Sequence, residues 1–218
     1  RNPIAHCSPL AEDEELRRLL PVLREITTWG IPVSVDTYKP GAMRAALAAG
    51  ATMINDITGM SDPDALAAVA GSDCAVCVMH MQGEPGTMQQ APVYSDVVGE
   101  VRVFLQAATA RLRAAGVANE RIILDPGFGF GKTLEHNLTL FNELQASGFD
   151  GLPVLVGTSR KSMLGAITGR PVEQRLAASV AAALIAAQKG AKILRVHDVA
   201  ATRDALAVWS AIEQGEKK

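Results

Sequence analysis

Six short apolar runs in this chain each end in residues able to do chemistry. Val33-Ser34-Val35 runs into Asp36, Met53-Ile54 into Asn55 and Asp56, and Val76-Cys77-Val78 into Met79 and His80. Later, Ile122-Ile123-Leu124 reaches Asp125, Val154-Leu155-Val156 reaches Gly157-Thr158-Ser159-Arg160-Lys161, and Ile193-Leu194 reaches Arg195 and His197. Two kinds of recognition suit these types. Asp36, Asn55 and Asp125 combine carboxylates with a carboxamide, a set that reads the donor–acceptor edge of a flat heterocycle. Met79 offers such a ring an apolar wall, or simply packs in the core. The bases at 158–161 and 195–197 suit an anion, since Arg presents a planar fork to phosphate oxygens and Lys a point charge. Plainer readings stand beside these. Asp36 can cap the chain from Thr37 to Pro40, the bases can pair with Asp198 or Glu173, and His80 and His197 can be structural.

A glycine-rich segment, Asp125-Pro126-Gly127-Phe128-Gly129-Phe130-Gly131-Lys132-Thr133, invites a P-loop reading and fails on spacing. A Walker A loop needs Gly where Pro126 stands, and a dinucleotide fingerprint needs Gly where Lys132 stands. What remains is a carboxylate at a strand tip, followed by backbone suited to a tight turn or to close ligand approach.

Helical stretches alternate with the apolar runs and must position these residues. The first helix has Ser8 as a possible cap, Pro9 in its first turn, and Glu12, Asp13, Glu14 and Glu15 at the positive end of its dipole. Leu16, Leu19, Leu20, Leu23 and Ile26 form its apolar stripe, and Gly30 stops it. Strands are expected at 32–36, 52–57, 74–79, 121–125, 153–157 and 192–196, with helices at 40–49, after Asp62-Pro63, and at 95–115, 135–146, 173–189 and 201–213. Strand–helix alternation means parallel βαβ units, and reactive residues at one end of every strand mean a shared active-site face. The expected fold is α/β, an incomplete (β/α)8-type TIM barrel with about six βα units and a leading helix, read as one domain over 1–218. A complete barrel has eight strands and typically about 250 residues, so this one lacks its first two strands. An open doubly wound sheet is the alternative.

Bulk properties agree with a globular enzyme. The 218 residues are 48% apolar and 20% charged, with a net charge of −2. Interspersed charges argue against a nucleic-acid stripe, and no run approaches the roughly 18 apolar residues of a membrane helix. The opening Arg1-Asn2-Pro3-Ile4 does not read as a signal peptide. Three cysteines, Cys7, Cys74 and Cys77, fit a reducing, cytoplasmic setting. Cys74 and Cys77 have CxxC spacing but lie in an apolar strand, where residues three apart face opposite ways, so a buried packing role is expected.

Taken together, the chain resembles the dihydropteroate synthase family. The matching runs are Ser34-Val35-Asp36-Thr37, Ile54-Asn55-Asp56, Met79-His80-Met81-Gln82-Gly83, the segment from Asp125 to Lys132, Gly157-Thr158-Ser159-Arg160-Lys161-Ser162 and Arg195-Val196-His197-Asp198-Val199. They occur in the family's order. Pterin-binding methyltransferase domains share the barrel, but have no use for the basic cluster at 159–161. The resemblance implies condensation of 6-hydroxymethyl-7,8-dihydropterin diphosphate with p-aminobenzoate, releasing pyrophosphate, in folate biosynthesis. It implies that the C–O bond breaks first and the amine captures the pterin cation. It assigns Asp36, Lys161 and Arg195 to catalysis. Asp36, Asn55, Met79, Asp125, Gly157, Lys161 and Arg195 would bind the pterin, and Arg195 and His197 the diphosphate. Phe130, Ser159 and Lys161 would border the p-aminobenzoate pocket, the target of sulfonamides. Magnesium and a homodimer packed through late helices are further implications.

Where family members carry two earlier strands and two loops, this chain offers only Arg1-Asn2-Pro3-Ile4-Ala5-His6-Cys7. The resemblance then implies that the Asn ligand of magnesium and a Ser-Thr-Arg-Pro lid lie outside the chain, and that strand edges are left open. Two alternatives follow: a non-catalytic pterin-binding remnant, and a pterin-binding methyltransferase domain.

Overall fold

Described for residues 10–83, 86–144 and 151–215, the computed structural model contains six strands. They are β1 (Ser34–Asp36), β2 (Met53–Asp56), β3 (Ala75–Met79), β4 (Ile122–Asp125), β5 (Leu155–Val156) and β6 (Ile193–Leu194). The helices are α1 (Glu12–Ile26), α2 (Pro40–Ala48), α3 (Pro63–Ala70), α4 (Val97–Ala114), α5 (Leu134–Asn142), α6 (Ser162–Thr168), α7 (Leu176–Gln188) and α8 (Val199–Gln214). Strands β1 to β4 pair in parallel in sequential order, and β5 pairs with β6. A bridge from Leu124 to Val154 joins the two sets. Sequential order without a reversal is that of a barrel wall, not of a doubly wound sheet.

Alternation along the strands separates two apolar environments. Ile54, Val76, Val78, Ile122, Leu124, Val154 and Val156 face outward into the main core, with Leu105 and Leu112 of α4 and Leu140 of α5. Fully burying each aliphatic side chain there stabilises the fold by about 1.5–3 kcal/mol. Cys77, Ile123 and Leu155 face the other way and pack on one another, with Met53, Ala75 and Ile193. Two such clusters suit a curled wall and equally an open sheet covered on both faces.

The curl has an independent measure. Six flat strands spaced about 4.8 Å apart would put the outer two about 24 Å from each other. Yet Arg195, just after β6, donates to a carboxylate oxygen of Asp36 at the end of β1. No Arg–Asp pair spans that gap, so the wall closes most of the way round. The expected barrel architecture is therefore present, and the doubly wound alternative is not. Cys74 and Cys77 are buried free thiols, as expected. Burial pushes the Cys77 thiol well above its ordinary range.

Three local differences have physical causes. The seven-residue α6 was not expected, because two glycines hide its period. Gly165 leaves room for the Arg175 guanidinium, which would lie 2.2 Å from a Cβ there, and Gly169 ends the helix at φ 69°. The helix expected at 173–189 starts instead at Leu176, after a 3-10 turn over Val172–Gln174. Helix α5 ends at Asn142, short of the expected 146, which lies outside the described residues together with Cys7, Ser8 and Pro9. Among the described residues, no helix is long and apolar enough to cross a membrane.

Candidate active site

Period-two alternation decides which tip residues share the barrel mouth. Counting from the inward-facing Met53, Cys77, Ile123, Leu155 and Ile193, the inward set continues with Asn55, Met79, Asp125, Gly157 and Arg195. Asp36 joins them through its register with Asn55. Asp56 has the opposite parity and faces away. Its buried carboxylate accepts from Met60 N at 2.6 Å and Thr58 N at 2.9 Å, so it builds the turn after β2. Burial raises its pKa.

At one side of the mouth, the Asn55 side-chain amide donates to Asp36 Oδ1. That bond sets the amide orientation, because only Nδ2 can donate to a carboxylate. Asn55 Oδ1 is then left buried with no hydrogen-bond partner, an acceptor in want of a donor. Asp125 lies beside Met79 in the register of β3 and β4 and is 6% exposed. Its Oδ1 accepts from Gly127 N at 2.8 Å, and its Oδ2 takes no hydrogen bond among the described residues. Burial raises its pKa, opposed by Lys161, the Gly127 N–H, Lys132 and Arg195. Thus Asp125 and Asn55, both at inward positions of their strands, each keep one acceptor unengaged among the described residues, as recognition of a heterocycle's N–H edge requires. Asp36 does not cap a helix: α2 starts after Lys39 with no side-chain cap, and both Asp36 oxygens are engaged by Asn55 and Arg195.

The glycine-rich segment wraps over this pair. Gly127, Gly129 and Gly131 all have φ between 58° and 76°, a region costly to other residues. At Gly127 space is also decisive, since a Cβ would meet the His80 carbonyl oxygen at 1.8 Å. The turn delivers the Phe128 carbonyl to Lys161 Nζ, and that ammonium also lies 4.4 Å from the Phe130 ring centroid. Burial lowers the Lys161 pKa to about 8, against the raising influence of Asp125, with Arg195 lowering and Asp36 raising it. Asp36, Asp125, Lys161 and Arg195 therefore feel one another's charge.

The remaining side is built from the tips of β5 and β6. Ser159, buried, is bonded to His197 through Nδ1 at 3.0 Å and accepts from His197 N at 3.2 Å. Arg160 has φ 59° and forks onto Asp198, at 2.6 and 3.0 Å. The pairing reading thus holds for Arg160, whereas Lys161 turns inward. Arg195 spends one N–H on Asp36, leaving the rest of its fork at the mouth. Gly157 carries no side chain at its inward position, so the mouth stays open beside Arg195.

Two supports were not foreseen. Arg175 Nη1 donates to the Arg160 and Lys161 carbonyls at 3.0 and 3.3 Å, and Ser179 Oγ accepts from Arg160 N at 2.9 Å. Nothing local in the sequence around 175 marks such a role. Lys132, which the failed P-loop spacing left without a role, is buried against His80, and Thr133 caps α5. The described residues hold no cluster of three or more His, Cys, Asp or Glu placed for a metal ion. With both Asp36 oxygens engaged, they offer magnesium no donor set.

Known proteins are similar to this chain in sequence and in fold. The model of the family described as pterin binding enzyme matches residues 2–197. The dihydropteroate synthase of Haemophilus influenzae is 49% identical over 203 residues, which are 93% of this chain and 74% of that protein. The structure of Burkholderia cenocepacia dihydropteroate synthase complexed with 7,8-dihydropteroate superposes with a TM-score of 0.90 at 52% identity, covering 96% of this chain and 78% of that one. The Thermus thermophilus enzyme in complex with 4-aminobenzoate gives 0.89 at 49% identity, covering 94% and 79%. A barrel mouth that gathers these motifs, in a chain so similar throughout, leaves one conclusion: this chain belongs to the pterin-binding enzyme family, on its dihydropteroate synthase branch.

Proposed function

We propose that the chain is a dihydropteroate synthase, a transferase of folate biosynthesis that joins 6-hydroxymethyl-7,8-dihydropterin diphosphate to p-aminobenzoate. The observation that carries this reading is the pair of unengaged inward acceptors, Asn55 Oδ1 and Asp125 Oδ2, beside a basic cluster. The first suits the N–H edge of a pterin, and the second the diphosphate and the carboxylate of p-aminobenzoate.

In the reaction, the methylene C–O bond breaks and its electron pair leaves with pyrophosphate. The amine lone pair then forms the new C–N bond, and the nitrogen gives up a proton. Asp36 holds its charge near the ring as positive charge develops, a stabilisation that fixed groups supply without reorganisation. Asp125 and Asn55 hold the ring edge, Met79 and Gly157 shape its slot, and Lys161 donates to the ring. Arg195 and His197 hold the diphosphate, while Ser159, Phe130 and Lys161 border the second substrate. Exposed apolar side chains on α7 and α8, Ile185, Val208 and Ile212, support a homodimer, which sedimentation would read directly.

Turnover is tested by coupled detection of pyrophosphate and dihydropteroate. Both products should appear in equal amounts and only with both substrates present. Pterin binding without either product would refute the enzyme.

A further inference from the structure

Lys132 and His80 are the most buried basic side chains that the reaction leaves without a task. Lys132 is 3% exposed and His80 5%. The Lys132 Nζ lies 2.9 Å from His80 Nδ1, 2.9 Å from the Gly127 carbonyl oxygen and 3.1 Å from the Phe130 carbonyl oxygen. Three partners match the three bonds that the nitrogen can make. As an ammonium it donates all three, with His80 accepting at Nδ1; as an amine it donates to the two carbonyls and accepts from His80. Either way all three bonds of the Lys132 nitrogen are made, and both loop carbonyls stay clamped.

We infer that Lys132, braced by His80, is a positioning residue for the reaction: it closes the 127–131 turn and thereby aims Asp125, Phe130 and Lys161. The chain of contacts is short. Gly127, whose carbonyl Lys132 holds, gives its N–H to Asp125 Oδ1. Phe128, between the two clamped carbonyls, offers its own to Lys161 Nζ. Phe130, at the far clamp, places its ring under the same Lys161. Besides Lys132, the turn is held by a backbone bond from Phe130 N to the Gly127 carbonyl at 3.1 Å and by three side chains: Gln89 Nε2 donates to the Gly129 carbonyl at 2.5 Å, Asn137 Oδ1 accepts from Gly129 N at 2.7 Å, and Tyr94 Oη donates to the Gly131 carbonyl at 2.8 Å. None of these three side chains reaches the carbonyl of Gly127 or of Phe130, the two that Lys132 holds. With glycine at three of its five positions, the turn has little intrinsic preference for this shape. His80 fits a fixed brace, because burial, with Lys132 adding to it, lowers its pKa to about 3 and keeps it neutral.

The test uses Lys132→Met, which keeps bulk and removes the clamp, with His80→Phe and His80→Asn as a second pair. Asn can place its oxygen where Nδ1 stands. Hydrogen exchange of peptides over 126–133 reads the clamp itself, without reference to turnover. Protection should fall in Lys132→Met and His80→Phe and return in His80→Asn. Steady-state kinetics, which rest on the proposed synthase activity, should show kcat/KM down about 10²-fold, the order expected when reacting groups shift by about 1 Å. The loss should appear in kcat and in the KM for p-aminobenzoate, with thermal unfolding still cooperative. Unchanged protection at 126–133, or kinetic losses matched by an equal loss of folded protein, would overturn the inference. Wild-type protein that turns over nothing would instead refute the proposed function, and exchange would still decide the clamp. Should Lys132→Met fail to fold, the Phe and Asn variants of His80 decide by their difference.

Discussion

Replacing Asp125 by Asn is the sharpest probe of the ring-reading site. The amide is isosteric and its oxygen can still accept from Gly127 N, now 2.8 Å from the carboxylate, so the turn keeps its anchor. What changes is the second atom, which becomes an N–H facing a ligand N–H where Oδ2 had been an acceptor. A hydrogen bond to a charged group contributes about 1.5–3 kcal/mol, and leaving a buried donor unsatisfied costs about 1–3 kcal/mol more. Together these amount to about 2.5–6 kcal/mol, or roughly a 10²- to 10⁴-fold weaker Kd at about 1.4 kcal/mol per tenfold. Asn55 should keep its own contact, so the loss should not reach that of a double variant. Calorimetry with 6-hydroxymethylpterin measures it, and thermal unfolding checks that the variant is intact. A change in Kd below tenfold in a folded variant would refute the assignment of Asp125 to the ring edge.

Other expectations follow from the same geometry. Arg195→Ala should weaken the pterin diphosphate at least tenfold more than the free pterin alcohol, and equal losses in calorimetry would remove the diphosphate from Arg195. Because burial holds Lys161 at about 8 and the ammonium is the form that donates to the ring, kcat/KM should fall as pH rises through about 8. A flat profile to pH 9 would exclude that role. Lys132 has its pKa lowered to about 7 from 10.5, mainly by burial, so between those values the unfolded chain binds more protons than the folded one. Stability should therefore rise with pH across that window, by at most about 1.4 kcal/mol per unit, and Lys132→Met should flatten the slope in urea unfolding. Gly127→Ala, with φ 71° and a Cβ 1.8 Å from the His80 carbonyl, should displace the turn and lower the urea midpoint; an unchanged midpoint and pterin affinity would contradict the packing.

Much of this was legible in the residue order, for a simple reason. Alternation in a strand is local, so an apolar run followed by Asp36, Asn55, Asp125 or Arg195 announces a strand and its tip without any tertiary knowledge. The spacing of helical stretches between such runs then dictates parallel pairing, and with it a common mouth. Folding decided the rest, because it depends on what meets what. Arg160 and Lys161 are neighbours in sequence, yet a left-handed φ at Arg160 turns one to Asp198 and the other to the Phe128 carbonyl. Arg175, ten residues beyond Gly165, lies against that glycine of the seven-residue α6, a contact that no local pattern announces. Asp36 reads equally well as a cap or as a site residue until the wall curls and brings Arg195 to it across 159 positions. Lys132 looks like a phosphate ligand by its neighbours, but desolvation and three nearby acceptors make it a brace. Local pattern can name the residues that reach the mouth; only long-range packing assigns each of them a partner.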